Sequence, residues 1–441
     1  MKNRDSFTSR FGFILACIGS AVGMGNLWMF PTRVSLYGGG SFIIPYFIFV
    51  VLIGATGVIG EMSFGRAARS GPVNAFGMAL ESKGKRKLGE ALGLIPMAGA
   101  LAMAIGYTVV MGWILKYAVG TFTGSTLAYS DVDGYAGAFG GMASAFGNNA
   151  WQIGALVICL AITMLGIGKG IEKANKVMMP LFYILFVGLA IYIALQPGSA
   201  EGYKYIFRVD PVALKDPMTW IYALGQAFFS LSITGSGMIV YGSYLKKDED
   251  IPKASVSTAF FDTCAAMVAA LAVMPAVFAF GIEPHSGPSL LFITLPGVFG
   301  EMPMGQLVAV VFFLSVLFAG ITSLMNMFEA VCESWQTRFN IKRITAVIIC
   351  GAITLGVGLF MENADIMGKW MDFITILVTP FGALLGAIAV YYILGFDDIK
   401  SELELGRKKA LPAWFGPVAK YIYVPVTVIV FILGLVYGGI G

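Results

Sequence analysis

Three glycines and an asparagine interrupt an apolar stretch close to the start of the chain, at Gly19, Gly23, Gly25 and Asn26. Each glycine costs about 1 kcal/mol relative to alanine inside a helix, so the pattern predicts a break in a membrane-spanning segment. Such a break must be buried in protein or line a wet cavity, because the freed N–H and C=O groups need partners. Those groups could bind a cation and a substrate. A glycine-lined helix-packing face would explain the pattern if this segment stood alone.

The same kind of interruption recurs about half a chain later, in residues 225–237, which read GQAFFSLSITGSG. Paired interrupted segments at matching places in two halves of a chain indicate the mid-membrane binding site of a transporter. The two breaks are therefore interpreted together, as the two sides of one site.

Glu61 and Asp262 are carboxylates inside apolar stretches. An ionisable residue within a membrane span is a functional hypothesis by default. Thr322 and Ser323 also lie within an apolar stretch, and their hydroxyls could bind a cation. Taken alone, such hydroxyls more often bond to their own helix.

The composition fixes the class of protein. The chain has 441 residues, of which 58% are hydrophobic and 12% charged. Soluble domains carry about 25% charged residues, so the sequence predicts an all-α integral membrane protein. The net charge of +4 reflects basic loops and indicates no nucleic-acid partner. The five cysteines are scattered singly, which predicts neither disulfides nor a zinc site, and the one histidine, His285, lies in a loop. A membrane enzyme is disfavoured because no nucleophile–base pair or metal-ligand cluster stands out.

Eleven apolar runs of roughly 20 residues, the length that spans a bilayer as a helix, follow one another along the chain. We number them spans 1 to 11 and place them at 11–34, 40–64, 89–120, 151–168, 175–196, 218–244, 253–282, 304–336, 343–361, 370–394 and 419–439. The breaks fall in spans 1 and 6. This spacing predicts one transmembrane domain with a five-span repeat in 1–196, a second in 218–394 and an extra span in 419–441.

Loop charge predicts the orientation of these spans. Lysines and arginines cluster before span 1 and in the loops after spans 2, 4, 6, 8 and 10, whereas segments 121–150 and 283–303 contain none. Lys204, Arg208 and Lys215, after span 5, are the exceptions. We therefore expect a cytoplasmic N-terminus, an outside C-terminus and a location in the plasma (inner) membrane. Segments 121–150 and 283–303 should form an outer vestibule.

Six motifs together resemble the neurotransmitter:sodium symporter family, close to its bacterial amino-acid transporters. They are GSAVGMGNLWMFP, YGGGSFIIPY, GIGKGIEKANKVMMP, GQAFFSLS, VYGSYLKKDEDI and FAGITS, and the resemblance runs nearly end to end. It implies the leucine-transporter-like fold, in which two five-helix repeats are inverted relative to one another and spans 1 and 6 are broken.

The resemblance also implies two sodium sites and no organic cofactor. The first would use the carbonyl of Ala21 and the side chains of Asn26, Ser230 and Asp262, completed by the substrate carboxylate. The second would use the carbonyls of Gly19, Val22 and Ala319 and the hydroxyls of Thr322 and Ser323.

Asp262 carries a further expectation. Chloride-dependent relatives resemble this chain but have an asparagine at this position, and chloride supplies the negative charge. Some bacterial relatives place a glutamate four residues on, where this chain has Ala266. Asp262 is therefore expected to supply the charge itself, which predicts chloride independence. A part for its proton in the return of the empty carrier is a weaker expectation.

The substrate pocket implied by the resemblance has twelve members: Ala21, Gly23, Met24, Gly25, Met103, Tyr107, Phe229, Ser230, Ser232, Gly235, Ser323 and Met327. Tyr107 would donate its hydroxyl to a substrate carboxylate, although membrane aromatics more often serve only packing. Amine transporters of the family have an aspartate where this chain has Gly23, so a substrate with its own carboxylate, an α-amino acid, is expected.

Side-chain selectivity is less firmly indicated. Relatives often carry phenylalanine or methionine at Gly235, so the glycine is expected to remove a wall and favour a bulky apolar or aromatic side chain. Thr234, Ser236 and Asn326 could form a polar pocket instead.

The gates depart from the family pattern. Met29 replaces the outer-gate arginine, and Arg33, one turn further out, is expected to substitute with Asp372 or another span 10 group as partner. Gln226 is expected to help to close this lid.

On the cytoplasmic side, Arg4 and Phe7 resemble the inner latch, but the latch aspartate aligns with Thr337, so Glu333 is a possible stand-in. By analogy, Glu61 should hydrogen-bond the unwound backbone of span 6.

The sequence thus predicts a sodium-coupled symporter of an α-amino acid in the lipid bilayer, working by alternating access. The alternatives are a sodium-coupled carrier of a β- or γ-amino acid and a ligand sensor that does not transport. The number of ions per substrate and the oligomeric state stay open.

Overall fold

The computed structural model of the chain describes residues 5–279, 287–407 and 409–440, and most of these residues are helical. Within those ranges the one strand-like pairing is an isolated bridge between Gly39 and Val209. The predicted all-α fold class is confirmed.

Each predicted span corresponds to a helix or to a pair of helices. Their bounds are Arg10–Ala21 with Gly25–Leu36 (span 1), Gly40–Ala68 (2), Arg86–Thr123 (3), Asn149–Met164 (4), Ile167–Ala194 (5), Pro217–Ser230 with Gly237–Ser243 (6), Ile251–Ala279 (7), Gly305–Phe339 (8), Arg343–Met361 (9), Ala364–Leu394 (10) and Phe415–Tyr437 (11). Among the described residues, eight helices are long and apolar enough to cross a membrane, and the bent pair of span 1 makes a ninth. Span 4 has 16 residues and span 6 is split, so both fall below that length criterion. The boundaries of the two repeats stay a prediction.

Short helices connect the spans. They are Pro72–Glu81, Ser125–Leu127 (a 3-10 turn), Val132–Met142, Ser199–Phe207, Pro211–Lys215, Leu290–Glu301 and Phe396–Glu404. Val132–Met142 and Leu290–Glu301 belong to the two segments that were expected to form the outer vestibule.

Span 1 is broken where the glycines predicted it. The helix ends at Ala21, Val22 adopts an extended conformation, and the second half begins at Gly25 after a bend of 57°. A Cβ at Gly23 would lie 2.8 Å from both the Ser323 and the Tyr107 hydroxyl oxygens. Glycine is therefore needed for close approach of spans 3 and 8 as well as for the break.

Span 6 is broken by two residues in the left-handed region. Ser232 has a φ of 52° and Gly235 a φ of 73°, so the chain turns between Ser230 and Gly237 without helical hydrogen bonding. The predicted break is confirmed, and the two breaks face each other: the Ser232 hydroxyl donates to the Ser20 carbonyl at 3.0 Å.

The N-terminal end of span 1 is attached to the start of span 5 through one buried carboxylate. Glu172 accepts from the backbone N–H and hydroxyl of Thr8, at 2.6 and 2.7 Å, and from the hydroxyl of Ser9 at 2.8 Å. Lys176 lies 2.6 Å from the same carboxylate. Ser9 also caps span 1 by accepting from the Gly12 N–H, which satisfies one of the unpaired donors at the helix start.

Candidate functional site

A cavity of about 370 Å³ lies between the two breaks. Eleven of the twelve predicted substrate residues line it: Ala21, Gly23, Met24, Gly25, Met103, Tyr107, Phe229, Ser230, Ser232, Ser323 and Met327. The residues come from spans 1, 3, 6 and 8, so the breaks and the two unbroken spans enclose a common volume. The size fits a small organic ligand, for which pockets of about 300–1,000 Å³ are usual.

Gly235 is the exception and corrects the expectation that its missing side chain enlarges the cavity. It does not line the cavity, and a Cβ there would lie 2.3 Å from the Gly382 carbonyl oxygen of span 10. Together with the positive φ, this contact explains the glycine by backbone packing rather than by space for a substrate.

Tyr107 is held at the first break. Its hydroxyl oxygen accepts from the Met24 backbone N–H at 3.3 Å, and its side chain is buried. Because that oxygen is already an acceptor, the hydroxyl hydrogen is left to donate. A carboxylate in the cavity could therefore take a hydrogen bond from Tyr107 beside the start of the second half of span 1, where the helix dipole also favours an anion.

Three side chains of the predicted first sodium site lie in contact. The Ser230 hydroxyl donates to the Asp262 carboxylate at 2.6 Å, and the Asn26 amide donates to it at 2.8 Å and to the Ser230 hydroxyl oxygen at 3.1 Å. Asn26 and Asp262 are both 0% exposed. Ala21, whose carbonyl is the fourth predicted protein ligand, lines the adjacent cavity.

The Asn26 amide presents its nitrogen to the carboxylate, while its oxygen accepts from the Gly23 N–H at 3.0 Å. A sodium ion requires oxygen ligands, so the amide must turn before its oxygen can join the ion beside Asp262. After that rotation, the Asp262 carboxylate, the Ser230 hydroxyl and the Asn26 amide would each offer the ion an oxygen ligand. The residues therefore fit the ion, with one side-chain rotation.

The residues of the predicted second sodium site also meet. The Ser323 hydroxyl contacts the carbonyl oxygens of Gly19 and Val22 at 3.2 and 2.9 Å, so it bridges from span 8 to the open end of span 1. Thr322 instead bonds to its own helix, at the Ala319 carbonyl 3.0 Å away. Its hydroxyl would have to leave this bond to bind an ion.

Two buried side chains support the breaks. A Glu61 carboxylate oxygen accepts from the Gly235 N–H at 2.6 Å, which compensates one unpaired donor in the span 6 break. The Gln226 amide donates to the Gly25 carbonyl at 2.9 Å, linking the outer halves of spans 1 and 6.

The outer mouth lacks the expected ion pair. Arg33 lies over the Tyr222 ring at 4.0 Å, a cation–π contact, and within the described part of the chain it makes no salt bridge to Asp372. An aromatic ring from span 6 lies within reach of the guanidinium instead, so the outer-gate role of Arg33 stays a prediction. Met29 and Asp372 both line the cavity.

Phe7, at the N-terminal end of span 1, lies in an aromatic cluster. Phe7 is 5% exposed and packs edge-to-face on Phe13 and Tyr241, with ring centroids 5.2 and 5.7 Å apart. Arg4, the other predicted latch residue, lies outside the described residues. The Glu333 carboxylate accepts from the Gly71 N–H at 2.5 Å and from the Thr337 hydroxyl at 2.9 Å.

Sequence reasoning missed the contribution of spans 10 and 11 to the cavity wall. The additional lining residues there are Met367, Gly368, Met371, Thr375, Ile376, Thr379, Pro380, Ala383, Thr427, Val430 and Gly434. In span 10, Thr375, Thr379 and Pro380 were the residues that could have indicated a cavity wall in the sequence. Span 11 offered only Thr427, which bonds to its own helix.

Comparisons with known proteins agree with this geometry. A model of the sodium:neurotransmitter symporter family matches residues 4–135 and 139–437. The sodium-dependent transporter YhdH of Bacillus subtilis (strain 168) is 31% identical, over 98% of this chain and 97% of that protein. The sodium- and chloride-dependent GABA transporter ine of Drosophila melanogaster is 25% identical, over 92% of this chain and 48% of that protein. The crystal structure of MhsT in complex with L-phenylalanine superposes with a TM-score of 0.86 at 31% identity, covering 98% of this chain and 100% of that chain.

Proposed function

The chain belongs to the sodium:neurotransmitter symporter family, and from this premise we propose that it is a sodium-coupled symporter that imports an α-amino acid. As a member of the family it is a multi-pass membrane transporter that uses sodium, and not an enzyme. What we propose beyond family membership is the class of substrate, the number of sodium ions and the direction of transport.

One observation carries it: the cavity between the two broken spans is lined both by Tyr107, which can bind a carboxylate, and by Ser230, which bonds to the predicted cation ligand Asp262. The Tyr107 hydroxyl is fixed at the Met24 N–H, and the Asp262 carboxylate lies with Asn26 and Ser230. A substrate carboxylate beside Tyr107 would complete the oxygen ligands of the first sodium ion. Sodium and substrate would then bind together because each supplies part of the other's site.

We further propose an apolar or aromatic side chain for that substrate. Met24, Met103, Met327 and Phe229 line the cavity, and methionine adapts to apolar shapes. Thr234, Ser236 and Asn326, the residues of the polar alternative, line the cavity as well, but they already bond to protein groups: Thr234 and Ser236 to each other at 2.8 Å and Asn326 to the Gly237 carbonyl at 3.2 Å. MhsT, which binds L-phenylalanine in the matched structure, is consistent with this preference.

Chloride independence follows from the charge at Asp262. This carboxylate is fully buried, and its hydrogen bonds come from neutral groups, Ser230 and Asn26. A chloride ion bound beside it would meet a like charge in a low-dielectric setting, where repulsion is strong.

Transport would proceed by alternating access, with spans 1, 2, 6 and 7 moving against the remaining spans. Sodium drives the cycle because it favours the substrate-binding state, and a ligand shifts a conformational equilibrium only by its differential affinity. Two sodium ions, a location in the plasma (inner) membrane, a cytoplasmic N-terminus and an outside C-terminus complete the proposal.

The test is uptake of radiolabelled phenylalanine into proteoliposomes under an inward sodium gradient, with chloride replaced by gluconate. Unlabelled α-amino acids, β-alanine and GABA compete alongside. Sodium-driven accumulation that persists without chloride and is blocked by apolar α-amino acids supports the proposal. Binding without accumulation would instead support a sensor, and inhibition by GABA alone would support the β- or γ-amino acid alternative.

A further inference from the structure

Asp372 is the charged side chain of the cavity wall. Within the part of the chain that the structure describes, the residues that line the cavity include no lysine, arginine, histidine or glutamate. Asp372 is the one aspartate among them. It lies in the outer part of span 10, and its side chain is exposed. Met29, on span 1, also lines the cavity, as do Met367 and Met371 on span 10.

This carboxylate has no compensating partner. Over residues 5–279, 287–407 and 409–440, Asp372 accepts no side-chain hydrogen bond and forms no ion pair. Arg33 is engaged with Tyr222. Lys369, one turn earlier on span 10, is exposed, does not line the cavity and makes no ion pair with any residue that the structure describes. The methionine thioethers offer only weak acceptors, so they cannot balance a negative charge.

The substitution at Met29 therefore has an electrostatic consequence. Because Met29 is uncharged, the negative charge of Asp372 is left unbalanced among the described lining residues. A charge in a cleft with low-dielectric walls acts on entering ligands because the field is focused there. The zwitterionic part common to all α-amino acids has no net charge. Asp372 can therefore discriminate between amino acids only by the charge of their side chains.

We propose that Asp372 is a specificity-determining residue that sorts amino acids by the net charge of their side chains. It disfavours substrates with a side-chain carboxylate relative to neutral molecules of the same shape. The inference rests on the proposed function, since it presupposes amino-acid transport.

The experiment measures inhibition of phenylalanine uptake by glutamate and by glutamine, two molecules of similar shape, in wild type, D372N and M29R. In wild type we expect glutamine to inhibit more strongly than glutamate by about threefold, as expected for one exposed charge in partly solvated surroundings. The ratio of the two inhibition constants should shrink towards one in D372N. It should shrink in M29R too, because the new guanidinium can neutralise the carboxylate.

Asp365 supplies the matched control. It is an exposed aspartate at the start of the same span and does not line the cavity. D365N should keep the wild-type ratio. Raising the salt concentration with a non-transported salt should weaken the ratio in wild type and leave that of D372N unchanged, because mobile ions screen exposed charges.

The outcomes separate the two proposals. If no amino acid is taken up by the wild type, the proposed function fails. If uptake is normal but D372N and M29R keep the wild-type ratio, Asp372 does not sort substrates. If D372N changed the half-saturating sodium concentration equally for every substrate, the carboxylate would act on sodium binding. That result would overturn the inference as well.

Discussion

Replacing Asp262 by asparagine removes the buried negative charge while leaving the shape of the side chain nearly unchanged. The carboxylate is 0% exposed and accepts hydrogen bonds of 2.6 Å from Ser230 and 2.8 Å from Asn26. Asparagine can keep one of these contacts through its amide oxygen. The variant therefore isolates the effect of the charge on the first sodium site.

The magnitude follows from that burial. Two opposite unit charges about 4 Å apart interact with about 4 kcal/mol at an effective dielectric of about 20. The amide dipole of the replacement recovers part of this energy, so we expect a net loss of about 3 kcal/mol, or roughly a hundredfold in sodium affinity. Chloride should then stimulate binding, because the site has lost a negative charge that an external anion can supply.

The assay is substrate binding to purified protein, titrated with sodium in chloride and in gluconate buffers. D216N is the control, because Asp216 is an exposed aspartate that caps the start of span 6 and an asparagine keeps the cap. Half-saturating sodium should rise in D262N and stay unchanged in D216N. If D262N binds sodium within about threefold of wild type and ignores chloride, the role assigned to this carboxylate is wrong.

Three further changes test the rest of the site. Y107F should raise KM for phenylalanine about tenfold, since one hydrogen bond to a charged group is worth about 1.5–3 kcal/mol, and unchanged KM in uptake assays would contradict the carboxylate contact. S323A should raise half-saturating sodium and lower the number of ions bound per substrate, measured by sodium-22 binding; an unaltered count would remove Ser323 from the second site. G235A should lower the melting temperature in detergent, because its Cβ would lie 2.3 Å from the Gly382 carbonyl oxygen, whereas G356A, with open space around it inside a helix, should melt at or slightly above the wild-type temperature. A G235A protein with a normal melting temperature would refute the packing explanation.

The backbone features of the site could be predicted from sequence because they depend on local chemistry. Glycines and an amide within an apolar run predict a break wherever the run crosses a membrane, and both breaks lie where expected. The carboxylates Glu61 and Asp262 were equally visible, because an acid in an apolar span is rare and needs a partner.

What could not be predicted depends on distant parts of the chain. The reason for Gly235 is the Gly382 carbonyl on another span, and no local pattern connects the two positions. Arg33 was expected to meet a carboxylate, yet Tyr222 offers a ring at 4.0 Å. The walls contributed by spans 10 and 11 were missed because their sequences are almost uniformly apolar, so nothing distinguishes a lipid-facing methionine from one that lines a cavity.

The carboxylate of Glu172 has a consequence for how tightly the proposed symport couples sodium to substrate. Thr8 and Ser9, at the start of span 1, both bond to this one charged group, whereas Lys176 pairs with it from within span 5. The N-terminal end of span 1 therefore cannot leave span 5 without giving up several charge-assisted hydrogen bonds, and partly released intermediates should be scarce. Such intermediates are the states through which sodium would pass without substrate, so we expect E172Q to let sodium leak and to lower the accumulation that the proposed symport would drive.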